Sequence, residues 1–269
     1  EKALEKADLT PAAIEVLLGG DLLNQCISTS FASKRLGTPF FGLYGACSTM
    51  SESLVLGSCL ISGGFAKNVL CSAASHFCSA ERQYRFPLEY GGQRTPEAQW
   101  TATAAGAVVL STTPARVRIT CAQPGRVHDP DVYDSNNMGA AMALSAYETL
   151  TAFFQNSGQK PSDFDLIVTG DLATAGKGIL IDLFTRDGID IKPYYDDCGL
   201  MLFSGNQNVC SGASGCGCSA AVLCAYLLRN LENGLFKKVL FCGTGALLSP
   251  LSVNQKDSIP GICHLVCLE

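Results

Sequence analysis

The sequence predicts an α/β protein built from two duplicated halves. Its 269 residues are 47% hydrophobic and include 27 glycines, a composition typical of buried sheets flanked by helices. The stretches that begin at Gly64 and Gly234 are similar and lie 170 positions apart, and the stretches 14–22 and 164–172 are similar at a spacing of 150. Internal similarity of this kind indicates that one structural unit occurs twice.

The elements of the first half are predicted from its apolar runs and glycine turns. An apolar strand ends in the Gly-Asp-Leu of 20–22, and a helix and a short strand follow it. A Gly/Cys turn at 45–48 then begins an apolar helix over 49–62. After a further glycine turn, we expect a buried strand over 68–73 and a closing strand over 103–111.

The second half repeats this order. A strand ends in the Gly-Asp-Leu of 170–172, and a Gly/Cys turn at 215–218 begins a helix over 219–231. Strands are predicted over 238–242 and 261–269. Because strands alternate with helices in both halves, we expect helices to cover the sheets in layers.

The boundary between the halves is placed in the linker 111–116, which gives the units 1–113 and 114–269. The second half is about 20 residues longer between its Gly-Asp-Leu and its Gly/Cys turn, and we assign the stretch 185–199 to this insertion. The two Gly/Cys turns are expected to meet at the junction of the halves. Such junctions are common places for ligand pockets.

Composition and charge exclude several classes of protein. A net charge of −5 without a basic stripe argues against a nucleic-acid partner. Most of the 14 cysteines lie in apolar runs, which favours free thiols in a reducing compartment over a disulfide framework. The stretch 43–66 is long enough to span a membrane, but its Gly and Ser content favours a soluble helix and strand. A lone Cys-x-Cys at 216–218 does not suffice to predict a metal site.

Cys47 is the first candidate for chemistry, because it lies on a turn between a strand and a helix. A helix N-terminus stabilises a thiolate and can lower its pKa. Acyl transfer would also need a proton-transferring side chain and an oxyanion hole. The chain has three histidines, and His76, directly after the strand predicted to begin at 68, is the one expected to line a pocket.

The duplicated pattern resembles the thiolase superfamily, which includes the ketoacyl synthases. The residues that carry this resemblance are FGLYGACSTM (41–50), TAAGAVVLS (103–111) and FCGTGALLSP (241–250). A closer resemblance, over nearly the whole chain, is to the stage V sporulation protein AD family. It rests above all on SHFCSAERQYRFPLEYG (75–91) and SGCGCSA (214–220). The resemblance implies a five-layer αβαβα fold of two duplicated halves, here without about the first strand–helix segment of the family.

The superfamily pattern implies that Cys47 occupies the nucleophile position. Its ketoacyl synthases also carry a His after a second-half strand and an Asn, or a second His, at the second buried-helix turn. Gly170 and Gly217 stand at those two positions here. The resemblance to the stage V sporulation protein AD family therefore implies a non-catalytic protein that binds dipicolinic acid (pyridine-2,6-dicarboxylate) and takes part in its uptake into the developing spore.

For such a dianion, we expect backbone N–H groups at two helix N-termini, hydroxyl groups and an arginine to supply the contacts. Arg85 is a further candidate, although a structural ion pair with Glu81 or Glu89 is favoured for it. Calcium can accompany the ligand, but no compact calcium loop is present and no resident cofactor is expected. The expected ligand-binding residues are Cys47, Ser48, Thr49, His76, Arg82, Gly215, Cys216, Gly217, Cys218 and Thr244.

The implied setting is the cytoplasmic side of the spore inner membrane, with peripheral attachment through membrane protein partners of the dipicolinate transport complex. No transmembrane segment is expected, and a homodimer through the segment 81–100 is a further implied partner. Two alternatives stay open. One is an acyl-transferring condensing enzyme that uses Cys47 with a rearranged partner such as His76. The other is a structural subunit of a transport complex with a vestigial pocket.

Overall fold

A computed structural model describes residues 1–84 and 93–269 and confirms an α/β fold of two similar halves. The helices are α1 (Lys2–Lys6), α2 (Ile27–Leu36), α3 (Thr49–Ser62), α4 (Phe77–Tyr84), α5 (Met138–Ser157), α6 (Ala173–Arg186), α7 (Cys198–Met201), α8 (Cys216–Val222), α9 (Leu228–Glu232) and α10 (Pro250–Asn254). The strands are β1 (Val16–Asp21), β2 (Phe40–Gly42), β3 (Asn68–Ser75), β4 (Gln99–Thr101), β5 (Ala104–Ser111), β6 (Ile119–Gln123), β7 (Leu166–Thr169), β8 (Tyr195–Asp197), β9 (Gly212–Ser214), β10 (Val239–Ala246) and β11 (Gly261–Leu268).

The two large sheets share the same arrangement of four strands, and the second sheet has a fifth strand, β6, antiparallel to β11. The first has the order β2-β1-β3-β5, and the second has the order β8-β7-β10-β11-β6. In each, three neighbouring strands are parallel and the strand beside them is antiparallel. A small parallel sheet of β4 and β9 joins residues 99–101 to residues 212–214 and so ties the halves together.

The sheets and helices form five layers. Helices α3, α8 and α9 lie between the two large sheets, where they share one buried apolar cluster with both of them. Helices α5 and α6 cover the outer face of the second sheet, and α1 covers that of the first. This arrangement confirms the predicted layer order and places the N-termini of α3 and α8 at the junction of the halves.

Most predicted elements are found, and the differences have physical causes. Helix α3 has the predicted bounds, whereas β10 continues to Ala246, beyond the predicted end at Cys242. The glycines in its second part suggested a turn, but all eight residues of β10 are buried and paired with β11. A Cβ on Gly245 would lie 2.7 Å from the carbonyl oxygen of Gly45, so glycine allows the Cys47 turn to pack on the strand.

The predicted insertion at 185–199 was wrong. That stretch contains β8, which pairs in parallel with β7 and takes the place that β2 has beside β1. Residues 198–211, which comprise α7 and the loop after it, supply most of the extra length. Because β8 has only three residues, its sequence gave little sign of a strand.

A buried ion pair fixes the segment that leads into β4. Arg94 Nη2 lies 2.7 Å from Glu81 Oε2, and the side chain of Glu81 is fully buried. Arg94 also donates to the carbonyl of Gln99 at 2.8 Å, and its guanidinium lies 4.0 Å from the centre of the Trp100 ring. The guanidinium is therefore held by a charge, a carbonyl and an aromatic face at once.

Candidate ligand-binding site

The structure places Cys47 in a tight turn directly before α3. The turn forces Ala46 into the left-handed region at φ 52°, and the side chain of Cys47 is buried. Ser48 Oγ donates to the carbonyl of Gly45 at 2.7 Å, and Thr49 Oγ1 donates to that of Ala46 at 2.8 Å. These two hydroxyls, expected to contact a ligand, instead bond to the backbone of the turn.

The corresponding turn before α8 packs against the first half. Gly215 has φ 105°, a conformation that favours glycine. Gly217 donates its N–H to Ser75 Oγ at 3.1 Å, and a Cβ at Gly217 would lie 2.2 Å from the carbonyl oxygen of Ala104. Neither an asparagine nor a histidine would fit there without moving β5. Gly217 is therefore a close-packing residue in this structure.

Cys216 and Cys218 are buried beside this turn. Cys216 Sγ donates to the carbonyl of Ala74 at 2.9 Å, and Cys218 Sγ lies 3.8 Å from the carbonyl of Gly170. Burial raises the pKa of both thiols, and nearby carboxylates add to the shift. Both side chains fill the junction between the halves.

Asp171 is the polar centre of this junction. Its Oδ1 accepts a hydrogen bond from Thr244 Oγ1 at 2.9 Å, and its Oδ2 accepts one from the backbone N–H of Gly215 at 2.9 Å. Gln99 Nε2 donates to its backbone carbonyl, and its carboxylate helps to raise the pKa of the Cys47 thiol. Thr244, expected to contact a ligand, is therefore bonded to Asp171.

The surroundings of Cys47 favour the protonated thiol over the thiolate. Burial raises its pKa well above the usual value, and the neighbouring Asp171 carboxylate raises it further. The backbone N–H of Gly215 acts in the opposite direction but is the smaller effect. The effect of the helix N-terminus, which would favour a thiolate, is thus outweighed by burial and by the nearby carboxylate.

A cavity of about 380 Å³ opens over Cys47, between the two halves. Its size is near the lower end of the ~300–1,000 Å³ range of ligand pockets. Among the described residues that line it, none is a lysine, arginine, histidine or carboxylate. The lining residues are Leu22, Tyr44, Ala46, Cys47, Tyr84, Thr101, Met138, Ser214, Ala246, Leu247, Leu248, Ser249 and Ser252.

Two tyrosines form a polar edge of this cavity. The hydroxyls of Tyr44 and Tyr84 are hydrogen-bonded to each other, and Tyr84 also donates to the carbonyl of Leu22 at 2.9 Å. Gln83 Nε2 lies within hydrogen-bond distance of both hydroxyls. Burial, and then Tyr44, raise the pKa of Tyr84, so its hydroxyl stays protonated and keeps its donor bond to Leu22.

His76 and Arg82 are not among the residues that line the Cys47 cavity. His76 borders a separate cavity of about 310 Å³ with Asp21 and Ser79, and its side chain is largely exposed. Arg82 is exposed on α4. Of the ten expected ligand-binding residues, the structure brings only Cys47 to the cavity wall. Arg85 and Glu89 lie outside the described residues.

The residues that sequence reasoning missed are the tyrosine pair, Asp171 and the wall formed by residues 246–252. Asp171 had a signal, because it is the Asp of the repeated Gly-Asp-Leu. Its partner in the first half, Asp21, instead accepts from Thr29 at the start of α2. Tyr84 and Ser252 had no local signal, since their place in the wall depends on the packing of distant segments.

Solved structures of condensing enzymes share the fold. A variant of Xanthomonas campestris OleA with bound lauric acid and lauroyl-CoA matches with a TM-score of 0.67 and 15% identity, over 99% of this chain and 79% of that one. The 3-oxoacyl-[acyl-carrier-protein] synthase III of Aquifex aeolicus VF5 matches with a TM-score of 0.59 and 17% identity, over 98% and 80%. At such identities the likeness shows the thiolase-like fold alone.

Sequence comparison identifies the family. The family model described as stage V sporulation protein AD matches residues 1–269. The stage V sporulation protein AD of Bacillus subtilis (strain 168) is 43% identical over 267 residues, which cover 99% of this chain and 79% of that protein. Within the described parts of the chain, no helix has the length and apolar character needed to cross a membrane. The chain belongs to the stage V sporulation protein AD family.

Proposed function

We propose that this protein is a non-catalytic member of the thiolase-like fold, which binds dipicolinic acid in the cavity over Cys47 and assists its uptake into the developing spore. The observation that carries the non-catalytic part is that Cys47 is buried in a cavity wall whose described residues include no imidazole. Burial, and then the Asp171 carboxylate, raise the pKa of the thiol and so favour its protonated form. A condensing reaction needs the opposite, a cysteine that is activated as a thiolate by a neighbouring base.

The lining of the cavity favours a small, flat ligand without net charge. Leu22, Met138 and Ala246 offer apolar contacts to an aromatic ring, and the hydroxyls of Tyr44 and Tyr84 form a polar edge beside them. Against the described residues of the wall, a free dianion would lose its hydration without gaining a cationic partner. One calcium ion cancels the two negative charges of dipicolinate. We therefore propose that the ligand enters together with calcium, although no resident ion is needed.

The location and partners of the protein are part of the same proposal. We place it at the cytoplasmic face of the spore inner membrane, held there by membrane proteins of the dipicolinate transport complex. A homodimer is also proposed. Sedimentation of the purified chain over a range of concentrations tests the dimer, and co-purification of membrane proteins from sporulating cells tests the attachment.

Calorimetric titration with dipicolinic acid tests the ligand. We expect saturable binding with one ligand per chain, tighter when calcium is present. Cys47→Ala should weaken it about tenfold, or ~1.4 kcal/mol, because the change removes the sulfur from the cavity floor and leaves a gap beneath the ligand. Cys59→Ala is the matched control, since Cys59 lies on the same helix but is exposed and outside the cavity wall. It should bind as the unchanged protein does.

Absence of heat and of any shift in melting temperature, with and without calcium, would exclude dipicolinate as the ligand. Equal weakening by both cysteine changes would place the site elsewhere. The acyl-transfer alternative has its own test, incubation with a thioester followed by intact-mass analysis. We expect no acyl group on Cys47, and a stoichiometric mass increase at that residue would restore the enzyme hypothesis.

A further inference from the structure

We propose that residues 249–257, which lie between β10 and β11, form a lid that controls access to the cavity over Cys47. The lid carries the short helix α10 and supplies Ser249 and Ser252 to the cavity wall. Its role in ligand entry rests on the proposed function. The motion itself depends only on how this segment is attached to the rest of the protein.

The lid has few contacts with the core. No residue between Ala246 and Ile259 is buried, whereas these two residues are themselves part of the core. Helix α10 has no buried residue, and Leu251 at its start is 66% exposed. A segment with so little buried apolar surface opens at a small cost in free energy while the core stays closed.

The hydrogen bonds of the lid join its own residues. Ser249 and Ser252 cap α10 reciprocally, since each hydroxyl accepts the N–H of the other residue, at 3.0 and 3.1 Å. The N–H of Asp257 donates to the carbonyl of Ser252 at 3.0 Å and closes the end of the helix. Among the described residues, no hydrogen bond of 249–257 reaches another segment of the chain. The lid can therefore move as one unit without losing its internal structure.

Hydrogen bonds fix the chain on both sides of the lid. The N–H of Leu247 donates to the carbonyl of Pro260 at 2.8 Å and closes the base of the loop. After the lid, Ser258 Oγ donates to the carboxylate of Asp129. The hinges of the lid are expected directly inside these two anchors, because backbone rotation there moves α10 without disturbing β10 or β11.

Ser258→Ala removes one anchor and leaves the cavity wall unchanged, because Ser258 is not among the residues that line the cavity. We expect amide hydrogen exchange of residues 252–257 to rise about fivefold, the effect of one lost hydrogen bond, while β10 and β11 exchange as before. Mass spectrometry of the full chain measures it. Ser157→Ala is the matched control, since it removes a hydroxyl bond to Phe153 at the exposed end of α5. It should leave exchange in the lid unchanged.

Labelling of Cys47 shows whether the motion controls access to the cavity. Methyl methanethiosulfonate reacts with the thiolate, so that a sulfur–sulfur bond forms, methanesulfinate leaves and the thiol proton goes to solvent. Because Cys47 is 6% exposed and lines the cavity, its labelling rate at pH 9 should rise in Ser258→Ala by the same factor as amide exchange. Cys71 is fully buried in the core and should stay unlabelled, which shows that the fold is intact.

Faster amide exchange without faster labelling of Cys47 would overturn the proposal, as would equal changes in Ser157→Ala. If Ser258→Ala changes neither rate, both measurements are repeated on Ser249→Ala, which removes the cap of α10. A rise in both rates there supports the lid, and no rise in either overturns it.

The ligand is tested separately. Trp100 is the only tryptophan of the chain and precedes Thr101 in the cavity wall, so stopped-flow fluorescence can follow binding of dipicolinate with calcium. Ser258→Ala should raise the association and dissociation rates by the same factor and leave Kd unchanged, because free and bound protein both have a closed lid. Faster labelling of Cys47 without any binding of dipicolinate would support the lid and contradict the proposed ligand.

Discussion

Replacement of Arg94 by methionine is expected to lower the free energy of unfolding by about 3 kcal/mol. The change removes the Arg94 guanidinium from the buried carboxylate of Glu81, and breaking a buried pair from one side typically costs ~3–5 kcal/mol. Methionine keeps much of the contact with Trp100, so lost packing contributes little. Urea denaturation followed by circular dichroism measures the effect.

Arg186→Met is the matched control for this prediction. Arg186 pairs with Asp187 at 3.5 Å, but its side chain is 66% exposed, and such pairs contribute little to stability. We expect no measurable change in the denaturation midpoint. Equal effects of the two substitutions would show that burial of the Glu81 pair does not determine its contribution.

Gly176→Ala is expected to destabilise the protein by about 2–3 kcal/mol. Gly176 and Gly139 lie where α5 and α6 cross, and a Cβ on Gly176 would lie 2.5 Å from the carbonyl oxygen of Gly139. Because the obstructing carbonyl belongs to the backbone, a side-chain rotation cannot relieve the overlap. The helices must separate, and the packing of α5 and α6 over the second sheet loosens. Thermal and urea unfolding should both report the loss.

Gly178→Ala, two residues further along α6, is expected to stabilise the protein instead. Nothing lies within 4 Å of a Cβ placed there, and the residue is exposed. Alanine loses less backbone freedom on folding than glycine, so we expect a gain of about 0.5–1 kcal/mol. The opposite signs distinguish close helix packing from helix propensity. A loss of stability in both variants would contradict this explanation.

Much of the fold could be predicted from sequence because its signals are local and occur twice. The apolar run that forms α3 has glycine turns on both sides, so its bounds were found to the residue. Strand β8, with three residues, was mistaken for an insertion because a strand that short has no visible alternation. Its place in the sheet is determined by pairing with β7, which is a contact between distant residues.

The candidate site was predicted less completely for a related reason. A Gly/Cys turn before a helix marks Cys47, and this residue does line the cavity. Whether Thr244 faces a ligand or another side chain depends on Asp171, 73 residues away in sequence. The pKa of a thiol depends on the charges near it in space, and residues that are distant in sequence supply those charges.

The cavity over Cys47 takes its walls from residues that are far apart in sequence, from Leu22 to Ser252. The strand that precedes residue 252, β10, pairs along its whole length with β11, which ends at Leu268. A chain emerging from the ribosome therefore has no complete cavity until residues 246–252 and the strand β11, which pairs with β10, have been synthesised. A ligand bound in this cavity can stabilise only a chain that contains both walls, so it would affect the lifetime of the folded molecule and leave the early folding steps unchanged.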